Sequence, residues 1–117
     1  MKLELQPLEN LINSWTVIFL PNSGEKFNGK LYVTNTRLVY DMQYNISTFQ
    51  DVIESSYIAK AGENTVLEIP KADIVDVNVE KSFFQKKVIV TVKSGTIFIF
   101  SYGMLNVDPI AEAIKSV

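Results

Sequence analysis

Apolar and polar positions alternate with a period of two along most of the chain, which predicts a β-rich fold. Ile74 to Glu80 reads I-V-D-V-N-V-E, setting Val75, Val77 and Val79 on one face and Asp76, Asn78 and Glu80 on the other. Lys87 to Val92 repeats the pattern through Val88, Val90 and Val92, and Lys93-Ser94-Gly95-Thr96 turns the chain into Ile97 to Ser101 as a hairpin. Ile97-Phe98-Ile99-Phe100 is apolar on both faces. One face therefore lines a core, while the other lies beneath another element or a partner. The period changes near the C-terminus, where Ile110, Ala113, Ile114 and Val117 form a helical stripe behind Asp108 as N-cap and Pro109 as first helical residue.

Upstream, Gly29 to Thr34 and Arg37 to Gln43 read as two strands joined at Asn35-Thr36, with Asn tolerating the conformation so short a turn demands. Trp15 to Leu20 reads as a further strand closed by Pro21-Asn22-Ser23-Gly24. Before it, Leu8, Leu11, Ile12 and Trp15 have helical spacing, yet the segment also suits an extended chain, and the pattern leaves both open. Between Tyr44 and Asn64 two patterns compete. Ser47-Thr48-Phe49-Gln50 has capping-box form with Phe49, Val52, Ile53 and Tyr57 on a helical face, whereas Ser55 to Lys60 and Thr65 to Ile69 flank a turn at Ala61-Gly62-Glu63-Asn64. The preferred reading is a loop from Tyr44 to Ile53 followed by the hairpin. No repeat or linker divides the chain, so residues 1–117 are taken as one mainly β domain of about seven strands with a C-terminal helix.

Composition narrows the function. The chain has neither His nor Cys, which removes imidazole bases, Ser-His-Asp and Cys-His arrangements, disulfides and thiolate metal sites. Carboxylate, Lys, Tyr or Ser/Thr chemistry and oxygen-ligated cations remain open in principle, but a non-catalytic protein without a cofactor is expected. The net charge of −2 conceals an asymmetry: residues 81 to 107 hold Lys81, Lys86, Lys87 and Lys93 and no carboxylate, leaving −6 on the remainder. An acidic chain whose only arginine is Arg37 is a poor nucleic-acid binder, since phosphate neutralisation supplies most of that affinity. Lys2, Glu4 and Glu9 interrupt any signal-peptide apolar run, and no stretch approaches the roughly 18 apolar residues of a membrane span. The expected compartment is the cytoplasm, with peripheral membrane contact as a further option.

Gly29-Lys30-Leu31-Tyr32-Val33-Thr34-Asn35-Thr36-Arg37-Leu38-Val39-Tyr40 resembles the strand pair of GRAM domains, and Leu67-Glu68-Ile69-Pro70-Lys71-Ala72-Asp73-Ile74 is similar to their second motif. The resemblance covers essentially the whole chain. It implies a pleckstrin-homology-like fold, a bent antiparallel barrel or sandwich with the helix at one open end, in a family of lipid-binding, protein-binding and self-associating modules. The residues themselves read structurally: Gly29 admits a close approach, Thr34 and Asn35 supply turn chemistry, and Arg37 pairs with a carboxylate such as Asp41 or Asp73. Asp73 and Asp76 make no evident metal site, because strand alternation separates them. The tyrosines, Tyr32, Tyr40, Tyr44, Tyr57 and Tyr102, read as packing residues with rim hydrogen bonds, and Trp15 as a core anchor.

One segment points to a surface function. Lys81-Ser82-Phe83-Phe84-Gln85-Lys86-Lys87 joins two strands, and neighbouring phenylalanines at a hairpin tip cannot easily both turn inward. Lys81, Phe83, Phe84, Lys86 and Lys87 are the candidate contact residues. The patch reads in three ways: as a structural tip, with one phenylalanine closing the barrel end, the other packed on a neighbouring loop and the lysines keeping an edge soluble; as a protein or self-association surface, where Phe is enriched; or as a peripheral contact with anionic lipid. An adaptor engaging a protein partner or its own copies is the first expectation and weak binding to anionic membranes the alternative. A single arginine argues against a specific phosphoinositide clamp.

Overall fold

A computed structural model describes residues 3–21, 26–42, 57–61 and 64–116. Eight strands form one antiparallel sheet: β1 (Leu11–Phe19), β2 (Phe27–Thr34), β3 (Arg37–Met42), β4 (Ile58–Ala61), β5 (Asn64–Pro70), β6 (Ile74–Lys81), β7 (Lys86–Val92) and β8 (Ile97–Ser101), followed by helix α1 (Asp108–Lys115). The fold is therefore mainly β with a C-terminal helix, and the described residues hold eight strands against the expected seven or so. The loop expected from Tyr44 to Ile53, its competing capping box, and the turn residues Asn22 to Gly24, Gly62 and Glu63 lie outside the described residues.

The sheet order is β4-β5-β3-β2-β1-β8-β7-β6. Strand β1 is its seam. It pairs with β2 from Leu11↔Thr34 to Phe19↔Phe27, but with β8 only at Ile18↔Ser101 and Phe19↔Phe100. With so short a join the two wings diverge and close over a shared interior. Phe19, at the join, lies against Phe27, Tyr40, Phe98 and Phe100 with ring centroids 5.4 to 6.3 Å apart across the group. Rings of this size bury the most apolar area per residue, so a bent sheet of short strands gains much of its core here. The alternation that reads as strand also reads as core: Leu31, Val33, Leu38, Val88, Val90 and Val92 are all buried.

Helix α1 packs against β1, β2 and β6 and buries Ile110, Ala111, Ala113 and Ile114. Its cap sits one residue earlier than the sequence suggests: Val107 is the N-cap, with no side-chain cap bond, and Asp108 and Pro109 are already helical. The other end is held by Lys71, whose ammonium donates to the Ala113 and Ser116 carbonyls at 2.8 Å each. A cation at a helix C-terminus meets carbonyls that have no intrahelical donor. Burial pulls the Lys71 pKa down, and those bonds keep its charge compensated.

The ambiguous stretch before Trp15 is extended, since β1 begins at Leu11. Trp15 packs on the edge of the core, as an anchor would. The two apolar faces of β8 divide as expected in part: Phe98 and Phe100 are buried, while Ile97 is exposed and Ile99 half-buried on the outer face. Strand β6 departs from simple alternation. A register shift between Ile74 and Asp76 inserts Val75 as an extra residue, so Ile74, Val77 and Val79 pack on the core and Val75 is exposed rather than sharing their face.

Candidate functional site

The clearest polar constellation is the one around Arg37. Pro7-Leu8 turns the chain with Leu8 in the left-handed conformation at φ 64°, a geometry costing an L-residue roughly 1 kcal/mol. The turn delivers Glu9 inward. Arg37 donates from Nε to Glu9 Oε2 at 2.7 Å and from Nη2 to Oε1 at 3.0 Å, a two-point pair, with Glu68 at 3.4 Å from Nη1. Arg37 thus pairs with Glu9 and Glu68 instead of the expected Asp41 or Asp73. Glu9 comes from a segment the strand pattern does not register, and Asp73 is taken by Lys93 at 3.2 Å.

Thr34 and Asn35 complete this cluster as the turn chemistry suggests. Thr34 Oγ1 donates to Glu9 Oε2 at 2.7 Å and accepts from the backbone N–H groups of Thr36 and Arg37. Asn35 Oδ1 accepts from Asn10 N, and its Nδ2 donates to the Leu8 carbonyl. The Arg37 guanidinium holds the Glu9 carboxyl at about 2 rather than the ordinary 4.5, and bonds from Thr34, Gln6 and Thr36 act in the same direction against the cost of burial. Glu9 in turn pushes the Arg37 pKa up. Every group in the cluster is satisfied by another, so it is a clamp joining the N-terminal segment to the β2–β3 turn. The other strongly perturbed group, Tyr40, has its pKa raised by burial and donates its hydroxyl to the Phe27 and Val17 carbonyls. Beside it Gly29 is required sterically: a Cβ there would lie 2.4 Å from the Asp41 carbonyl oxygen and 2.8 Å from the Tyr40 ring.

The β6–β7 tip has the opposite character. Ser82 N donates to the Gln85 carbonyl at 2.9 Å and Gln85 N to Ser82 Oγ at 3.1 Å, closing a tight turn that throws both intervening rings outward. Phe83 is 80% exposed and Phe84 77% exposed. They meet edge to face at 4.8 Å, so each covers part of the other and neither reaches the core. Lys81 is paired with Asp108 at 2.9 Å, whereas Lys86 and Lys87 make no ion pair with a described residue.

The structure adds a second loop that the sequence reading passed over. After β8 the chain turns at Gly103, with φ +64°, and carries Met104 and Leu105, 66% and 60% exposed. This loop is bonded to the tip: Lys86 N donates to the Gly103 carbonyl at 2.7 Å, Tyr102 N to the Lys86 carbonyl at 3.0 Å, and Gln85 Nε2 to Ser101 Oγ at 2.9 Å. Four large apolar side chains thus stand at one end of the molecule, on two loops locked together. Both loops come from the acid-free stretch 81–107, and the carboxylates that border them are Asp108 and Glu80. The available signal was two apolar residues after a glycine with no strand or helix period to absorb them.

No family model and no curated protein matches the sequence. The chain is similar in structure to the C-terminal domain of an unknown protein from Leishmania infantum, with a TM-score of 0.65 and 13% identity over 91% of this chain and 82% of that one. At this identity the likeness shows the fold alone.

Elsewhere, an open groove of about 590 Å³ lies between β6 and the end of α1, lined by Lys71, Ile74, Val77, Asn78 and Ile114 among others. Of its two lysines, Lys71 is spent on the helix carbonyls. Among the described residues no three carboxylates gather as a metal site; Asp76 is exposed and accepts from Asn78 Nδ2 instead. No helix among them is long and apolar enough to cross a membrane.

Proposed function

We propose that this chain is a non-catalytic interaction module of GRAM type, with a pleckstrin-homology-like fold, whose working surface is the end formed by the β6–β7 tip and the β8–α1 loop. One observation carries the reading: Phe83, Phe84, Met104 and Leu105 face outward from a rigid, hydrogen-bonded support. Large apolar side chains held rigidly in water raise the free energy of the isolated protein, and contact with an apolar surface recovers it. A surface whose side chains are this exposed suits docking onto something large rather than enclosing a small molecule. Its residues correspond to the candidate set Lys81, Phe83, Phe84, Lys86 and Lys87, extended by Met104 and Leu105.

The pattern of perturbed groups supports the same reading. Glu9 and Tyr40, the most displaced from ordinary titration, are both consumed by structural bonds. The test is fractionation of native lysate containing tagged protein, comparing wild type with the Phe83→Ser/Phe84→Ser double variant. Wild type is expected in membrane or assembly fractions and the variant as free protein. Identical distribution of the two would remove this end as the working surface.

A further inference from the structure

We infer that the occupant of this end is an anionic membrane surface, with the four apolar side chains entering the interface and Lys86 and Lys87 meeting lipid headgroups. This rests on the docking role just proposed and assigns its partner. Size is the first argument. Phe83, Phe84, Met104 and Leu105 together offer on the order of 500 Å², short of the about 800 Å² per partner that a stable protein interface buries. Phe83 and Phe84 stand exposed at a hairpin tip, which a bilayer accommodates by admitting the tip rather than by matching its shape.

Charge is the second argument. Lysine is depleted at protein interfaces, where its strong hydration is lost, but is favoured beside anionic headgroups. Here the lysines rim the apolar group on a chain whose remainder carries −6. The acidic bulk of the protein is repelled by an anionic surface, so the end built from the acid-free stretch 81–107 is the one that approaches first. Carboxylates facing this end are Asp108, which neutralises Lys81, and Glu80, which stands opposite Lys87 in the β6–β7 register. Glu112, also exposed, lies one helical turn beyond Asp108. Lys86 therefore carries most of the attraction, Lys87 is partly offset by Glu80 across the strand pair, and Asp108 holds Lys81 in reserve. The polar groups at the base of the tip also suit the setting: Ser82 and Gln85 bond each other, limiting what must be desolvated on insertion.

The experiment is sedimentation of the purified chain with vesicles of phosphatidylcholine alone and of phosphatidylcholine mixed with phosphatidylserine, at low and high salt. Binding is expected on the phosphatidylserine vesicles, weakened by salt. Phe83→Ser/Phe84→Ser should reduce it at least tenfold, and Lys86→Ala roughly fivefold, the equivalent of about 1 kcal/mol per lysine. Asp108→Asn is the discriminating variant. It should raise binding severalfold by releasing Lys81 while lowering thermal stability slightly, because a carboxylate is lost from the first turn of α1. Equal binding to both vesicle types, binding to neither, or indifference to the phenylalanine substitutions would each overturn the membrane assignment. A stable dimer in sedimentation velocity that dissociates in the phenylalanine double variant would overturn it in favour of a second copy. If vesicles are ignored while lysate fractionation still depends on Phe83 and Phe84, the docking role stands and only the lipid assignment falls.

Discussion

The clamp around Arg37 and the tip around Phe84 use charge and apolar surface in opposite ways. At the clamp, Glu9 and Arg37 are withdrawn from water and each remaining lone pair or proton is met by Thr34, Thr36, Glu68 or backbone. At the tip, two rings are left in water and two lysines lack an ion-pairing partner among the described residues. A buried pair that loses one member leaves the other charge stranded, which is why such a cluster governs stability. An exposed ring contributes little to folding, so its removal should be felt only by whatever it touches. Bidentate geometry and a depressed carboxyl therefore mark structure in this protein, and exposed apolar rings mark interaction.

That contrast is open to measurement. The largest effect is expected from Arg37→Ala or Glu9→Ala, each lowering the free energy of unfolding by about 3–5 kcal/mol in urea titration, without changing vesicle binding of the fraction that remains folded. A loss below about 1 kcal/mol would mean that the clamp is ornamental. The acid response comes next. The Glu9 carboxyl is depressed in the folded chain, so its stabilisation is complete above the ordinary value of 4.5 and is lost as pH falls through 4.5 toward 2. Wild type should lose about 3 kcal/mol across that window, whereas Glu9→Gln should start lower and show a shallower slope. Parallel slopes would place the acid sensitivity elsewhere.

Gly29→Ala is expected to cost about 1–3 kcal/mol by overpacking, since the Asp41 carbonyl is backbone and cannot step aside. The smallest stability effect belongs to the tip: Phe83→Ser/Phe84→Ser should move the unfolding midpoint by no more than about 0.5 kcal/mol equivalent while abolishing docking. Substantial destabilisation by this pair would dissolve the distinction between the two regions.

The strand pattern carried much of the fold because a period of two maps directly onto which side chains face the interior. Val88, Val90 and Val92 could be assigned to the core from sequence for that reason, as could the hairpin through Gly95. The same rule failed at Val75, where one inserted residue in β6 reversed the face, since local alternation holds no record of register with a neighbouring strand. It failed too for the partner of Arg37, because Glu9 lies far away in sequence and reaches the site through a left-handed Leu8 that no propensity favours.

The candidate surface divides along the same line. Composition and alternation, being properties of neighbours along the chain, were enough to place two adjacent phenylalanines and three lysines at a hairpin tip inside an acid-free stretch. Long-range contacts settled the rest: both rings face water, Met104 and Leu105 join them, and Asp108 pairs with Lys81. Those outcomes depend on which backbone carbonyl a distant N–H finds, Gly103 for Lys86, and on where a helix comes to rest after the sheet has closed.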